Sequence, residues 1–458
     1  MPRKADDTVT DKDHREVLMK ELRLRRFYKI LVACVAAVVM LMFTTAYTVM
    51  KSKVAFTSAL AVGIPFTLVY MLALFFAVIM PETDGISGFA LAVLGFATLV
   101  FIRVCLVYYR SGDYNSFLVH WVEQMRGLSP IQAIETPIGD YNVPYLYVLL
   151  LISRIPVSDL VLIKAFSCVF DVLLAYSAAL CARKLLRSEA ATVLTLVLTA
   201  AVPTVVLNGA MWGQCDSVYA FFCVMTLYFI LQKKGWLAML FYSFAFSFKL
   251  QAIFLLPAIV ICLFAEKLRP IHLVMFPAGF IGTALPALLC GRSFSDTFMI
   301  YFRQTQTYGS LDLNAPTVYR FVANVDDKIF SAAGVMLGGL VALCFIYFGF
   351  RLRDRIDDRL LVKLFFISAL LIPYFLPRMH ERYYFVADIL SVLYFLVDRK
   401  RWYVPFITVF TSFVSYAYYL FGGITLVNYV WLSTALLILL IICLRDVYRE
   451  AHKGTVGQ

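Results

Sequence analysis

The chain has 458 residues, of which 62% are hydrophobic and 16% aromatic, with a mean hydropathy of +0.82. This excludes the soluble classes and indicates a polytopic all-α membrane protein. The formal charge of +12 does not indicate a nucleic-acid partner: Lys and Arg sit at the ends of apolar runs rather than in one patch, as the positive-inside rule expects.

Taken in order, residues 1–26 are polar, with Asp6, Asp7, Lys12, Arg23, Arg25 and Arg26, and read as a cytoplasmic lead-in. The apolar run that follows has no small-residue cleavage site and reads as a first helix, not a removable signal. Residues 27–80 form a transmembrane hairpin around Lys51-Ser52-Lys53, and residues 81–445 form the main transmembrane core. A third span, 88–109, follows the turn at 81–85 and ends at Arg110, placing Asp113 outside if the N-terminus is inside.

Residues 110–159 are the first large external loop, with two amphipathic pieces at 116–126 and 143–153. The second is flanked by Pro144 and Pro156 and is shorter than the roughly 20 residues a span needs, so it is expected along the interface. Later apolar runs bring the total to about fourteen spans, counted at that length. External loops then fall at 208–216, 291–328 and 377–383, and 446–458 is a cytoplasmic tail. The connections assigned to the inside, such as Arg183 to Arg187 and Arg399-Lys400-Arg401, are all basic, which makes the topology self-consistent.

The ten cysteines are scattered and form no CxxC pair, and the five histidines are dispersed, so neither a disulfide framework nor a metal site is expected. Polar residues instead gather on the outer face. They are Asp113, Tyr114 and His120; Trp212, Gln214 and Asp216; Lys249 and Gln251; Arg303, Gln304, Tyr308 and Asn314; and Arg378, His380, Glu381, Arg382 and Tyr383. Alone, Asp113 reads equally as a structural residue, a solvated loop carboxylate or helix N-cap, and as a catalytic one. Lys249 lies between apolar runs, where an unpaired ammonium is costly, so a paired or anion-binding role is expected. Lys164 and Asp171, seven residues apart on one helical face, are expected to pair. Arg378, His380 and Arg382 make a natural phosphate clamp, since arginine binds phosphate oxygens bidentately.

External carboxylates beside cations suit glycosyl transfer from a lipid-phosphate sugar: a carboxylate removes the acceptor proton and cations stabilise the departing phosphate. The segments Ser111-Gly112-Asp113-Tyr114 with Phe117 and Trp121, Asp140 to Tyr147, Trp212 to Asp216, Lys249-Leu250-Gln251 and Met379 to Tyr383 together resemble the C-type (GT-C) superfamily of integral-membrane glycosyltransferases, in particular its bacterial members. The resemblance implies a polyprenyl-phosphate sugar donor, a glycan, lipid-linked or protein acceptor, inverting displacement, and no cofactor or metal. It further implies that Asp113 is the catalytic base and that Asp216 shapes the acceptor site with Gln214, Tyr114 and Trp212. Lys249, Arg378, His380 and Arg382 would contact the donor phosphate. The chain departs from many members in lacking a large C-terminal soluble domain and in carrying the hairpin 27–80. A transporter or flippase of lipid-linked or anionic substrates is the alternative, set against the one-sided distribution of polar groups.

Overall fold

The computed structural model describes residues 6–79, 86–307, 310–322 and 327–452. Among these residues the fold is all helical, apart from isolated bridges of Leu313 and Asn314 to His380. Seven helices are long and apolar enough to cross a membrane, or eight if the pair Glu189–Ala201 and Pro203–Trp212, bent by 53°, counts as one. The chain is therefore membrane-embedded in kind. Of the other expected spans, Asp358–Phe375 and Tyr403–Leu420 are helices of 18 residues, Asp216–Leu231, Gly235–Phe248 and Phe385–Val397 are shorter at 16, 14 and 13, and 250–265 is a 3₁₀ turn followed by the nine-residue helix Leu256–Phe264.

By internal contacts the chain divides into Met1–Val104 and Cys105–Gln458. The first unit holds α1 (Asp6–Ser52), α2 (Phe56–Ile79) and most of α3 (Ile86–Leu106). Residues 6–26 of the polar lead-in are thus helical and run on into the first apolar helix. Tyr70 on α2 donates to the Val93 carbonyl at 2.9 Å, and Phe101 on α3 packs on Phe43 and Tyr47 of α1. The α1–α2 crossing is close because Gly63 has no side chain: a Cβ there would meet Thr45 Oγ1 at 2.5 Å. The turn at 81–85 lies outside the described residues.

The second unit begins with three short helices, α4 (Val119–Arg126), α5 (Pro130–Glu135) and α6 (Val143–Ser153). Ser129 and Gln132 form a reciprocal capping box that starts α5. The Asn142 side chain accepts from the Val143 amide to start α6. Residues 143–153 are helical as expected, but not as an amphipathic surface helix. The segment is apolar around its circumference: Val143, Tyr145, Leu146, Leu149 and Ile152 are buried, while Leu151 is 64% exposed.

Then come α7 (Asp159–Leu186), α8 (Glu189–Ala201), α9 (Pro203–Val206) and α10 (Asp216–Leu231). They are followed by α11 (Gly235–Phe248), α12 (Leu256–Phe264), α13 (Met275–Leu289), α14 (Phe294–Phe298) and α15 (Ile300–Thr307). The last five are α16 (Asp327–Arg351), α17 (Asp358–Phe375), α18 (Phe385–Val397), α19 (Tyr403–Leu420) and α20 (Tyr429–His452).

Lys164 and Asp171 on α7 do not pair as expected. Two helical turns separate them by about 10 Å, and each finds a nearer partner. Lys164 donates to the carbonyls of Leu106, Val107 and Tyr109 at 3.2, 3.0 and 2.6 Å, satisfying acceptors left open where α3 ends. Asp171 accepts from Ser217 at 2.5 Å. Residues 446–452, in the segment expected as the tail, are the last turns of α20. There Asp446 pairs with Arg401 and Glu450 with the buried Lys363.

Candidate functional site

Two widened helical turns build the site, and both fall in segments singled out from the sequence. The chain forms a π-helical turn at Tyr114–Leu118, directly after Asp113, and another at Leu207–Trp212. Such turns insert one residue into a helix and are frequent at functional sites. The second ends at Gly213, whose φ of +81° is natural only for glycine. The Asn208 carbonyl accepts from both Gly213 and Gln214, at 3.1 and 3.0 Å. This turn aims Trp212 and Gln214 at Asp113 while releasing the chain into α10 at Asp216.

Asp113 is not an N-cap, since its side chain accepts no backbone amide there; the Ser111 hydroxyl takes the Tyr114 amide instead, at 3.2 Å. Its Oδ2 accepts from Trp212 Nε1 at 3.0 Å and from Gln214 Nε2, and its Oδ1 accepts from the Tyr419 hydroxyl at 2.6 Å. Three donors from two distant segments fix the orientation of this carboxylate. Tyr419 comes from α19, far along the chain, and stacks on Trp212 with ring centroids 4.3 Å apart.

Asp216 sits deeper. It accepts from Asn208 Nδ2 at 2.7 Å and pairs with Lys249, whose ammonium also lies near the Tyr141 and Tyr219 rings. Arg382 links the two acids, with Nε 3.7 Å from Asp216 and Nη1 4.0 Å from Asp113, over the face of Trp212. Burial works against the Arg382 charge, but the Asp216 and Asp113 carboxylates overcome it and raise its pKa further.

A cavity of about 340 Å³ opens on this arrangement. Its walls come from the expected external loops, including Asp113 and Trp121, Asp140 and Tyr141, Gln214, Asn314, and His380 to Arg382, joined by Tyr419. The Asp113 side chain is 22% exposed and that of Asp216 only 3%, so of these two Asp113 is the carboxylate a ligand can reach. Desolvation at the cavity wall raises the Asp140 carboxyl above the ordinary range, against the pull of Arg382 and Lys249.

Other expected site residues lie elsewhere. Tyr114 is buried in a cluster with Leu118 and Val122. His120 is exposed and faces Glu123 at 3.9 Å. Arg303 pairs with Asp296 at 2.8 Å and is half exposed. Gln251 lies beside Tyr383, whose ring packs against Phe254 and His380. Arg378 has a φ of +61°, and its amide donates to the Leu311 carbonyl at 2.8 Å, which helps hold Asn314 beside His380. Tyr308 lies outside the described residues. Among the described residues no group of three or more His, Cys, Asp or Glu is placed to hold a metal ion.

Sequence reasoning missed Tyr419, Asn208 as the partner of Asp216, and Asp140 with Tyr141 as cavity walls. Asp140 and Tyr141 were in view as part of a motif. For Tyr419 the only signal was a cluster of tyrosines near the end of an apolar helix, which an interfacial aromatic belt explains equally well.

Gly112 gives a local test. A Cβ at this position would meet the Tyr419 hydroxyl at 2.8 Å. Gly112→Ala should push Tyr419 off Asp113 and lower the activity proposed below about tenfold, or ~1.4 kcal/mol, the scale of one hydrogen bond. In the Tyr419→Phe background, which lacks that hydroxyl, adding the alanine should cost little further activity.

Compared with protein-family models and with curated proteins, the chain matches none.

Proposed function

We propose that this protein is a membrane glycosyltransferase that moves a sugar from a polyprenyl-phosphate donor to an acceptor hydroxyl, with the site on the outer face and both termini in the cytoplasm. The observation that carries this reading is the accessible Asp113 carboxylate, oriented by three donors on a cavity that it shares with Arg382. In the transfer step the acceptor oxygen forms a bond to the anomeric carbon, and its proton passes to Asp113. The bond from that carbon to the phosphate oxygen breaks, and its electron pair leaves with the phosphate. The configuration inverts.

Arg382 and His380 line the cavity and supply the contacts for the departing phosphate. Lys249 lies behind Asp216 and acts on the phosphate only through that pair. The likeness to the GT-C superfamily supports the same assignment, as does the convergence of loops 110–159, 208–216, 291–328 and 377–383 on one cavity. A bundle of about fourteen spans would let the short helices cross at less than the usual ~20 residues where neighbouring helices enclose them.

The test is transfer by the purified full chain in liposomes, supplied with polyprenyl-phosphate sugars and a panel of hydroxyl acceptors. Donor-dependent formation of a glycosylated product, with release of the polyprenyl phosphate, is expected. Movement of a lipid-linked sugar across the bilayer without any bond breaking would overturn the enzyme reading and favour a flippase.

A further inference from the structure

The cavity beside Asp113 has a wall that the transfer chemistry leaves unused. Phe117, Trp121 and Tyr141 line it as a continuous aromatic surface, with ring centroids 5.9 Å apart from Phe117 to Trp121 and again from Trp121 to Tyr141. Phe117 is 45% exposed, a large apolar area to leave open on a wall shared with carboxylates. Gly139, with φ of +72°, seals one face of the Trp121 indole: a Cβ there would stand 2.9–3.1 Å above the atoms Cδ2, Cε2 and Cε3. One face of the indole is therefore covered by backbone, with Phe117 and Tyr141 packed beside it where the ring borders the cavity. Tyr141 is held in place by its hydroxyl, which donates to Gln214 Oε1 at 2.9 Å.

The polar lining has a definite sign. Asp113, Asp140 and Glu381 place three carboxyl groups against one arginine, Arg382, with His380 beside them. If Arg382 and His380 serve the phosphate, no cation remains to meet a negative charge elsewhere on a ligand. What remains is an aromatic face and hydrogen-bond acceptors. A pyranose ring matches both, because its axial C–H bonds make an apolar, weakly positive face that packs on the negative face of an aromatic ring, while its hydroxyls donate to carboxylates. At about 340 Å³ the cavity is at the small end of ligand pockets, which run from about 300 to 1,000 Å³. That volume suits one ring and not a chain.

We infer that the wall formed by Trp121, Tyr141 and Phe117 is a sugar subsite that stacks one uncharged or amino-bearing pyranose ring and rejects sugars carrying a carboxylate. The assignment rests on the glycosyltransferase reading for its place in the reaction, but the binding can be measured without transfer.

The experiment is saturation-transfer NMR on the full chain in detergent, using the methyl pyranosides of glucose, galactose and mannose and methyl glucuronide as probes. At least one neutral glycoside should take up saturation, concentrated on the C–H protons of one ring face, and the glucuronide should bind at least tenfold more weakly. Trp121→Ala should remove the signal and Trp121→Phe should keep most of it. Should Trp121→Ala not fold, Phe117→Ala, at an exposed ring, should weaken binding severalfold.

No saturation of any neutral glycoside, equal binding of the glucuronide, or undiminished binding in the folded Trp121→Ala or Phe117→Ala variants would overturn the inference. Glycoside binding without transfer to any acceptor would leave the subsite standing and remove the enzyme reading. Transfer with an unchanged donor and acceptor KM in the folded Trp121→Ala variant would remove the subsite alone.

Discussion

Asp113→Asn is expected to lower sugar transfer about 10²–10⁴-fold, the usual contribution of a positioned general base, while leaving the fold intact. The geometry explains why the loss would be chemical rather than structural. An asparagine oxygen can still accept from Trp212 and Gln214, and its amide can donate to the Tyr419 hydroxyl, which is able to accept. Every hydrogen-bonding neighbour keeps a partner; what is lost is proton affinity, together with the negative charge that faces Arg382 at 4.0 Å. The measurement is initial rate in liposomes together with the thermal unfolding midpoint in detergent. An active, fully folded Asn variant would sink the base assignment. Asp216→Asn is the matched control, since that carboxylate is shut away behind Lys249 and Arg382. Its effect should fall on stability more than on the rate of the folded protein.

Lys249→Met carries the largest expected stability effect. Removing one partner of a buried ion pair costs about 3–5 kcal/mol because the other charge is stranded. The Lys249 and Asp216 side chains are only 8% and 3% exposed, so solvent cannot take over. Asn208 at 2.7 Å and Arg382 at 3.7 Å still face Asp216, which places the expected cost at the lower end, about 3 kcal/mol. Unfolding in detergent checks the value. The double variant Lys249→Met with Asp216→Asn should recover a large part of it, because a neutral pair is no longer stranded. A double variant as unstable as the sum of the two singles would show that the two residues are not energetically coupled and would remove the stranded-charge account.

Much of the helical architecture could be read in advance because its signal is local: each long apolar run became a helix, and the polar loops between them were evident from composition. The site was legible where a motif lay within one loop. Asp113, Gln214 and the His380 to Arg382 segment reached a common cavity. Pairing across the chain was not legible. Lys249 was expected to need a counterion, but nothing local says that Asp216 provides it rather than a phosphate. Lys164 was assigned the acid on its own helix, whereas carbonyls at the end of α3 took its protons. In both cases packing decided between partners of equal chemical merit, and hydrophobic periodicity carries no information about which helix ends meet. Tyr419 was hidden for the same reason, because a tyrosine at a helix end looks alike whether it faces lipid or a carboxylate.

The two widened turns, Tyr114–Leu118 and Leu207–Trp212, make the cavity sensitive to sequence length rather than only to sequence identity. Each holds one residue more than a regular helix would at that point. Losing a single residue from 207–212 would restore an ordinary α-helical ladder and turn the side chains on one flank by about 100° relative to the other. Trp212 and Gln214 would then swing away from Asp113 while α10 itself stayed intact. A one-residue deletion of this kind would erase the site while leaving α10 and the helices after it in place, as a one-residue insertion into a plain helix would create it.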